Sequence, residues 1–221
     1  MSGRSGFLLI VCGLTLACSA AFAGERTPLQ KGDAAPEISF VDITGEATET
    51  GAYRSWVQVL TFADRESSEV LKEWMRPAQI AATRAHPELR VVYMTFADLT
   101  SIPRLLRGMV RPVLEKTFEN SNEDLAAAYR EIGVEPDPAM VEFIFAPDWD
   151  GAHLETFGLE DAKSYHCWIV ADGRVVAVLD ASTPDREGHY AAAFDAIAAQ
   201  SGAADSSQVA VPVDVSTSRP D

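Results

Sequence analysis

The chain has 221 residues, enough for one domain with a sizeable apolar core. Acidic residues outnumber basic ones by 33 to 18, and the net charge of −15 argues against nucleic acid as a ligand, because phosphates would be repelled. No apolar run after the N-terminal region is long enough to predict a membrane span.

The N-terminus predicts export. Arg4 precedes an apolar run from Phe7 to Ala17, and small residues follow up to Ala23. This is the pattern of a signal peptide over residues 1–23, cleaved between Ala23 and Gly24. The alternative is a lipoprotein site at Cys18, whose preceding residues fit such a site poorly. We therefore expect a periplasmic or secreted protein.

Cleavage at that site leaves Cys167 as the one cysteine of the chain. A single cysteine cannot form an internal disulfide, a C-x-x-C motif or a thiolate zinc site. The histidines after the leader are dispersed and show no metal-ligand spacing. We therefore expect no metal and no cofactor.

Hydrophobic patterning predicts alternating strands and helices in one domain over residues 24–200. Residues 201–221 are small and polar and are expected to be a disordered tail. Predicted strands cover residues 37–43, 56–63, 89–97, 141–145, 165–170 and 174–179, and predicted helices follow Asp64 and cover 102–118, 122–132 and 190–199. Pro77 is expected to kink its helix, and Pro112 is expected to kink or break the helix that contains it.

This order, with a hairpin turn at Ala171-Asp172-Gly173 and a closing helix, resembles the thioredoxin-like superfamily. Within it, the chain is most similar to the YtfJ family of periplasmic proteins. The segments that carry the likeness are Lys31–Pro36, Trp56–Asp64, Asp64–Ser68, Asp98, Ile102-Pro103, Glu142–Phe145 and Cys167–Val178. The resemblance implies a three-layer α/β/α fold with a mixed central sheet.

The redox chemistry of that superfamily is where the chain departs from it. Active members hold a nucleophilic thiolate at the start of the helix after the first core strand, where the helix N-terminus lowers its pKa. The two cysteine positions of active members fall either on Ser67 and Val70 or on Glu69 and Lys72. Residues 53–90 contain no cysteine, so neither alignment supplies the thiol. The proline expected before the hairpin is also missing from Lys163–His166.

Asp64 and Asp98 are candidates for a ligand crevice. Each ends a Thr-Phe-Ala-Asp tetrapeptide, at residues 61–64 and 95–98, and each follows a predicted parallel strand. Ligand sites of open α/β sheets lie at such strand ends, and Ser67 and Ser68 begin the next helix. The competing interpretation is that these residues are helix caps or turns.

Arg104, Arg107 and Arg111 share one face of a predicted helix, and Trp149 lies in a polar loop. They are candidates for a partner surface, whereas the simpler interpretation pairs the arginines with the protein's own acids.

Cys167 is flanked by His166, but adjacent strand residues point to opposite faces, which favours a buried structural thiol over an activated one. The sequence thus favours a non-catalytic binding or accessory module, whose partner is expected to be another cell-envelope protein. The alternative is a single-cysteine peroxidase or reductase that uses Cys167.

Overall fold

The computed structural model describes residues 27–135 and 137–208. The predicted signal peptide, with Cys18, Ala23 and Gly24, lies outside these residues, as does most of the predicted tail. The strands are β1 (Ser39–Val41), β2 (Ala47–Glu49), β3 (Val57–Ala63), β4 (Val91–Asp98), β5 (Val141–Asp148), β6 (His166–Ala171) and β7 (Arg174–Asp180). The helices are α1 (Arg65–Ala85), α2 (Arg107–Glu131), α3 (Ala152–Thr156) and α4 (Arg186–Gln208), with 3-10 turns at Thr50–Tyr53 and Arg104–Leu106.

Five strands form a mixed central sheet in the order β5-β4-β3-β6-β7. β5, β4 and β3 are parallel, whereas β6 and β7 are antiparallel neighbours. The prediction that the strands at 56–63 and 89–97 are adjacent and parallel is confirmed. The two Thr-Phe-Ala-Asp segments run side by side, with Thr61 paired to Thr95 and their hydroxyl oxygens 3.1 Å apart.

Alternating side chains of the sheet build two apolar cores, one on each face. On one face, Val59 and Cys167 lie beneath α1 and α4. On the other face, Phe62 and Trp168 are covered by the region of α3 and by the β1 segment. Helices therefore flank the sheet on both sides, and the connectivity β3–α1–β4, then α2–β5–α3, then β6–β7–α4 is that of a thioredoxin-like three-layer α/β/α fold.

Two helix predictions differ from the structure. The predicted helices at 102–118 and 122–132 are one helix, α2, which contains Pro112. Pro77 lies inside α1, and the kink expected there stays a prediction. Both prolines are exposed, so the carbonyl groups that they leave without an amide partner are near solvent. The last helix, α4, continues to Gln208, past the position 201 at which we placed the start of the tail.

Within the described ranges, no helix combines the length and the apolar character that crossing a bilayer requires.

Candidate functional site

Three aspartates stand where the three parallel strands end. Asp64 follows β3, and Asp98 and Asp148 are the last residues of β4 and β5, paired in register. Asp64 and Asp98 were predicted here from the sequence, whereas Asp148 was not. Because parallel strands end at one edge of a sheet, the three carboxylates share the edge at which open α/β folds bind ligands.

At the first of these strand ends, Asp64 and Ser67 form a reciprocal capping box at the N-terminus of α1. The Ser67 amide donates to Asp64 Oδ1 at 2.8 Å, and the Asp64 amide donates to Ser67 Oγ at 2.9 Å. Ser67 is buried, and its hydroxyl group also lies 2.8 Å from the carbonyl oxygen of Ala162. The Ser67 side chain thus joins the start of α1 to the loop before β6.

The backbone of Ala162 forms hydrogen bonds with both Asp64 and Asp98. The Asp64 amide donates to the Ala162 carbonyl at 3.1 Å, and the Ala162 amide donates to Asp98 Oδ2 at 3.4 Å. The other oxygen of Asp98 accepts hydrogen bonds from the amide and hydroxyl groups of Thr100. The structure therefore links both predicted residues to the same backbone segment, and each carboxylate accepts local hydrogen bonds. A ligand role for the pair stays a prediction.

An exposed cation lies near this edge. The pKa of Lys163 is raised, first by its hydrogen bond to Asp161 and also by the charges of Asp64 and Asp98. Ser68, the remaining crevice candidate, donates its hydroxyl to the Arg65 carbonyl within the first turn of α1 and takes no part in the contacts with Ala162.

Asp148 is the carboxylate that sequence reasoning missed. It is buried and accepts hydrogen bonds from the amides of Gly151, His153 and Leu154 at 2.9, 3.1 and 3.0 Å. It thereby organises the short helix α3. Helix α3 is too short to give a clear periodic signal in the sequence. Asp148 could therefore not be recognised as a residue that caps a helix.

Cys167 lies in the apolar core beneath α1 and α4 and is fully buried. Burial raises the pKa of its thiol well above the ordinary value. His166 points to the opposite face of β6, where its ring stacks on Trp168 with centroids 5.6 Å apart. Burial lowers the pKa of His166. The two side chains therefore do not form a nucleophile–base pair.

The predicted arginine stripe is divided by the fold. Arg104 belongs to the 3-10 turn and is exposed, while α2 begins at Arg107. Arg107 pairs with Asp150 at 2.9 Å, donates to the carbonyl of Trp149 at 2.7 Å and lies over its ring. Trp149 is therefore partly covered by an arginine rather than freely exposed.

Arg111 pairs with Glu115 at 3.1 Å and donates to the Ile43 carbonyl at 3.1 Å. Two of the three arginines are thus paired with the protein's own acids, as the simpler interpretation predicted.

A small cavity of about 260 Å³ lies between α2, the β1–β2 hairpin and the end of β5. Its polar side chains include Asp42, Arg111 and Asp148, and each already has an internal hydrogen-bond partner. Across the residues that the structure describes, no group of three or more His, Cys, Asp or Glu side chains is arranged to hold a metal ion.

Neither a comparison with protein-family models nor a search of curated proteins gives a match. Solved structures do show a likeness. A thiol:disulfide interchange protein DsbE from Chlorobium tepidum is 17% identical, with a TM-score of 0.44 over 75% of this chain and 99% of that one. The thioredoxin domain of a thiol-disulfide oxidoreductase from Bacteroides vulgatus is 15% identical, with a TM-score of 0.45 over 77% and 99%.

A protein disulfide isomerase from Bacteroides thetaiotaomicron is 14% identical, with a TM-score of 0.46 over 79% of this chain and 89% of that one. Likeness at this level says nothing about activity. The thioredoxin-like fold of this chain rests on its own strand order and connectivity.

Proposed function

We propose that this chain is an exported thioredoxin-fold protein that acts as a non-catalytic binding or accessory module in the periplasm or an equivalent compartment. The observation that carries the proposal is the capping box at the start of α1. Asp64 and the buried Ser67 occupy the region where redox-active members of the fold hold their nucleophilic thiol. The likeness of the ordered sequence motifs to the YtfJ family belongs to the same proposal.

The chemistry of disulfide exchange supports this reading. Exchange needs an attacking thiolate that can reach a disulfide in another molecule. Cys167 is the one cysteine after the predicted leader, and it is buried beneath α1 and α4. Its raised pKa keeps the group protonated at neutral pH, so it lacks both the access and the ionisation that a nucleophile requires.

Two assays on the exported protein test the absence of thiol catalysis. In the first, the protein is added to insulin and dithiothreitol, with a C-x-x-C thioredoxin as the positive control and Cys167→Ala as the matched negative control. We expect the wild type and Cys167→Ala to give the same uncatalysed rate. Acceleration that depends on Cys167 would contradict the proposal.

The second assay measures alkylation of the native protein by iodoacetamide near neutral pH. We expect the alkylation rate to be limited by transient opening of the folded state, which exposes Cys167. The rate should therefore rise with urea at concentrations well below the unfolding midpoint. Alkylation in native buffer at the rate of an exposed, low-pKa thiol would instead favour the single-cysteine enzyme.

Export is tested separately by the intact mass of the protein recovered from the cell envelope. We expect a chain that begins at Gly24. A diacylglyceryl adduct on Cys18 would replace cleavage after Ala23 with lipoprotein anchoring, and an unprocessed cytoplasmic chain would contradict export.

A further inference from the structure

The 3-10 turn at Arg104–Leu106 and the first turns of α2 expose an apolar stripe that the fold does not cover. Leu105 is 94% exposed, Met109 67% and Val113 63%. Met109 and Val113 are four residues apart on α2, and Leu105 lies four residues before Met109 in the preceding 3-10 turn. Arg107 and Arg111, which alternate with them, instead contact Trp149, Asp150 and Glu115. We call Leu105, Met109 and Val113 the α2 stripe.

The charge around the α2 stripe is opposite to that of the rest of the protein. Residues 99–116 contain three arginines, one lysine and a single acidic residue, Glu115, in a chain whose net charge is −15. Arg104 and Lys116 flank the stripe, both are exposed, and neither makes an ion pair with another described residue. From the rise of the 3-10 turn and the α-helix, they lie roughly 19 Å apart.

We propose that the α2 stripe docks an acidic amphipathic helix of a partner protein. The apolar side of that helix covers Leu105, Met109 and Val113, and carboxylates near its two ends pair with Arg104 and Lys116. This inference names the partner class for the proposed binding role and rests on that role. The stripe spans about two helical turns, so the contact belongs to the small, transient class of interfaces.

The same charges count against the two other possible occupants. In an antiparallel pair of two α2 stripes with Met109 on the two-fold axis, Arg104 of one copy lies beside Lys116 of the second copy, which brings like charges together. An anionic lipid surface extends well beyond the two exposed bases and would also meet the acidic surface around them, whereas a single helix contacts only the stripe and its flanking bases. An acidic helix satisfies both the apolar and the basic parts of the surface.

The test uses a fluorescent synthetic peptide of about 18 residues, rich in alanine, with leucines at i, i+4 and i+8 and two glutamates near each end. A second peptide carries lysine in place of every glutamate. We expect saturable binding of the acidic peptide to the full-length protein by anisotropy, and no binding of the basic peptide.

Met109→Glu and Arg104→Glu should each weaken the acidic peptide at least tenfold, since one removes the apolar contact and the other reverses a flanking charge. The matched control is Val70→Glu, which places the same charge on another exposed apolar residue, 45% exposed on α1, and should leave binding unchanged. Equal weakening by Val70→Glu, or no saturable binding, would overturn the proposal.

The other occupants are checked in parallel. Co-sedimentation with vesicles of phosphatidylcholine and phosphatidylglycerol (4:1) that Met109→Glu abolishes would assign the stripe to membranes instead. A concentration-dependent dimer in analytical ultracentrifugation that Met109→Glu disrupts would assign it to a second copy. Both results overturn the proposal.

Photo-crosslinking in the cell envelope separates this inference from the proposed function. A partner protein captured through position 109, with the adduct mapped to an acidic amphipathic segment, supports both. A partner captured only from other positions on the protein leaves the binding role intact and defeats the α2 stripe.

Discussion

Replacing Ser67 by alanine separates a structural role of this residue from a functional one. The Ser67 hydroxyl accepts a hydrogen bond from the Asp64 amide at 2.9 Å and lies 2.8 Å from the carbonyl oxygen of Ala162, in a buried setting. Two such bonds contribute about 1 kcal/mol each, and alanine returns about 0.5 kcal/mol through its higher helix propensity. We therefore expect Ser67→Ala to lower the free energy of unfolding by about 1.5 kcal/mol.

For a domain of this size that loss corresponds to a fall in Tm of roughly 3–6 °C. The assay is urea unfolding followed by circular dichroism, with Ser68→Ala as the matched control. Ser68 makes one hydrogen bond to the Arg65 carbonyl near the surface, so its replacement should change stability by no more than about 0.5 kcal/mol. If the two variants are equally stable, the reasoning about the capping box is wrong.

Three further predictions concern His166, Gly158 and Asp148. Burial lowers the pKa of His166 below its ordinary value of 6.5. As the pH falls through 6.5, the unfolded chain therefore takes up more protons than the folded one, and the protein loses stability. In urea titrations, His166→Gln should lose less stability between pH 7 and pH 5 than the wild type. Gly158→Ala should unfold the protein or lower the free energy of unfolding by more than about 3 kcal/mol, because its Cβ would lie 2.4 Å from the Thr27 carbonyl oxygen. The control is Gly133→Ala, which has a similar positive φ but open space around the Cβ. It should lower the free energy of unfolding by only about 1–2 kcal/mol, as measured by thermal melting. Asp148→Ala should cost about 2–4 kcal/mol because it leaves three amides at the start of α3 without their acceptor, and chemical denaturation with unchanged stability would contradict that role.

The central strands could be predicted from the sequence because their apolar runs are strong and bounded by polar residues. The predicted strand at 56–63 is β3 at Val57–Ala63, and the predicted strand at 89–97 is β4 at Val91–Asp98. The predicted division of α2 between residues 118 and 122 was wrong, since one helix runs from Arg107 to Glu131, and Pro112 does not break it. Proline removes one hydrogen bond, and packing along the rest of a long helix outweighs that local loss.

Only part of the candidate site could be predicted from the sequence. The repeated tetrapeptides at 61–64 and 95–98 predicted that Asp64 and Asp98 lie at neighbouring strand ends, and the register confirms that placement. The backbone of Ala162 joins the two residues from far along the chain, and no side-chain pattern marks such a contact. The exposure of the α2 stripe was equally hidden, since its spacing matches that of a buried helix face.

The capping box also determines what it would take to give this protein a working thiol. A cysteine introduced in place of Ser67 would stand within hydrogen-bond distance of the Asp64 carboxylate, whose negative charge opposes ionisation of a neighbouring thiol. The attractive end of the helix dipole is already occupied by that carboxylate. Conversion to an oxidoreductase therefore requires the loss of Asp64 as well as the gain of cysteines. A variant that lacks Asp64 has lost the N-cap of α1. Removal of Asp64 therefore lowers stability before any thiol activity is gained.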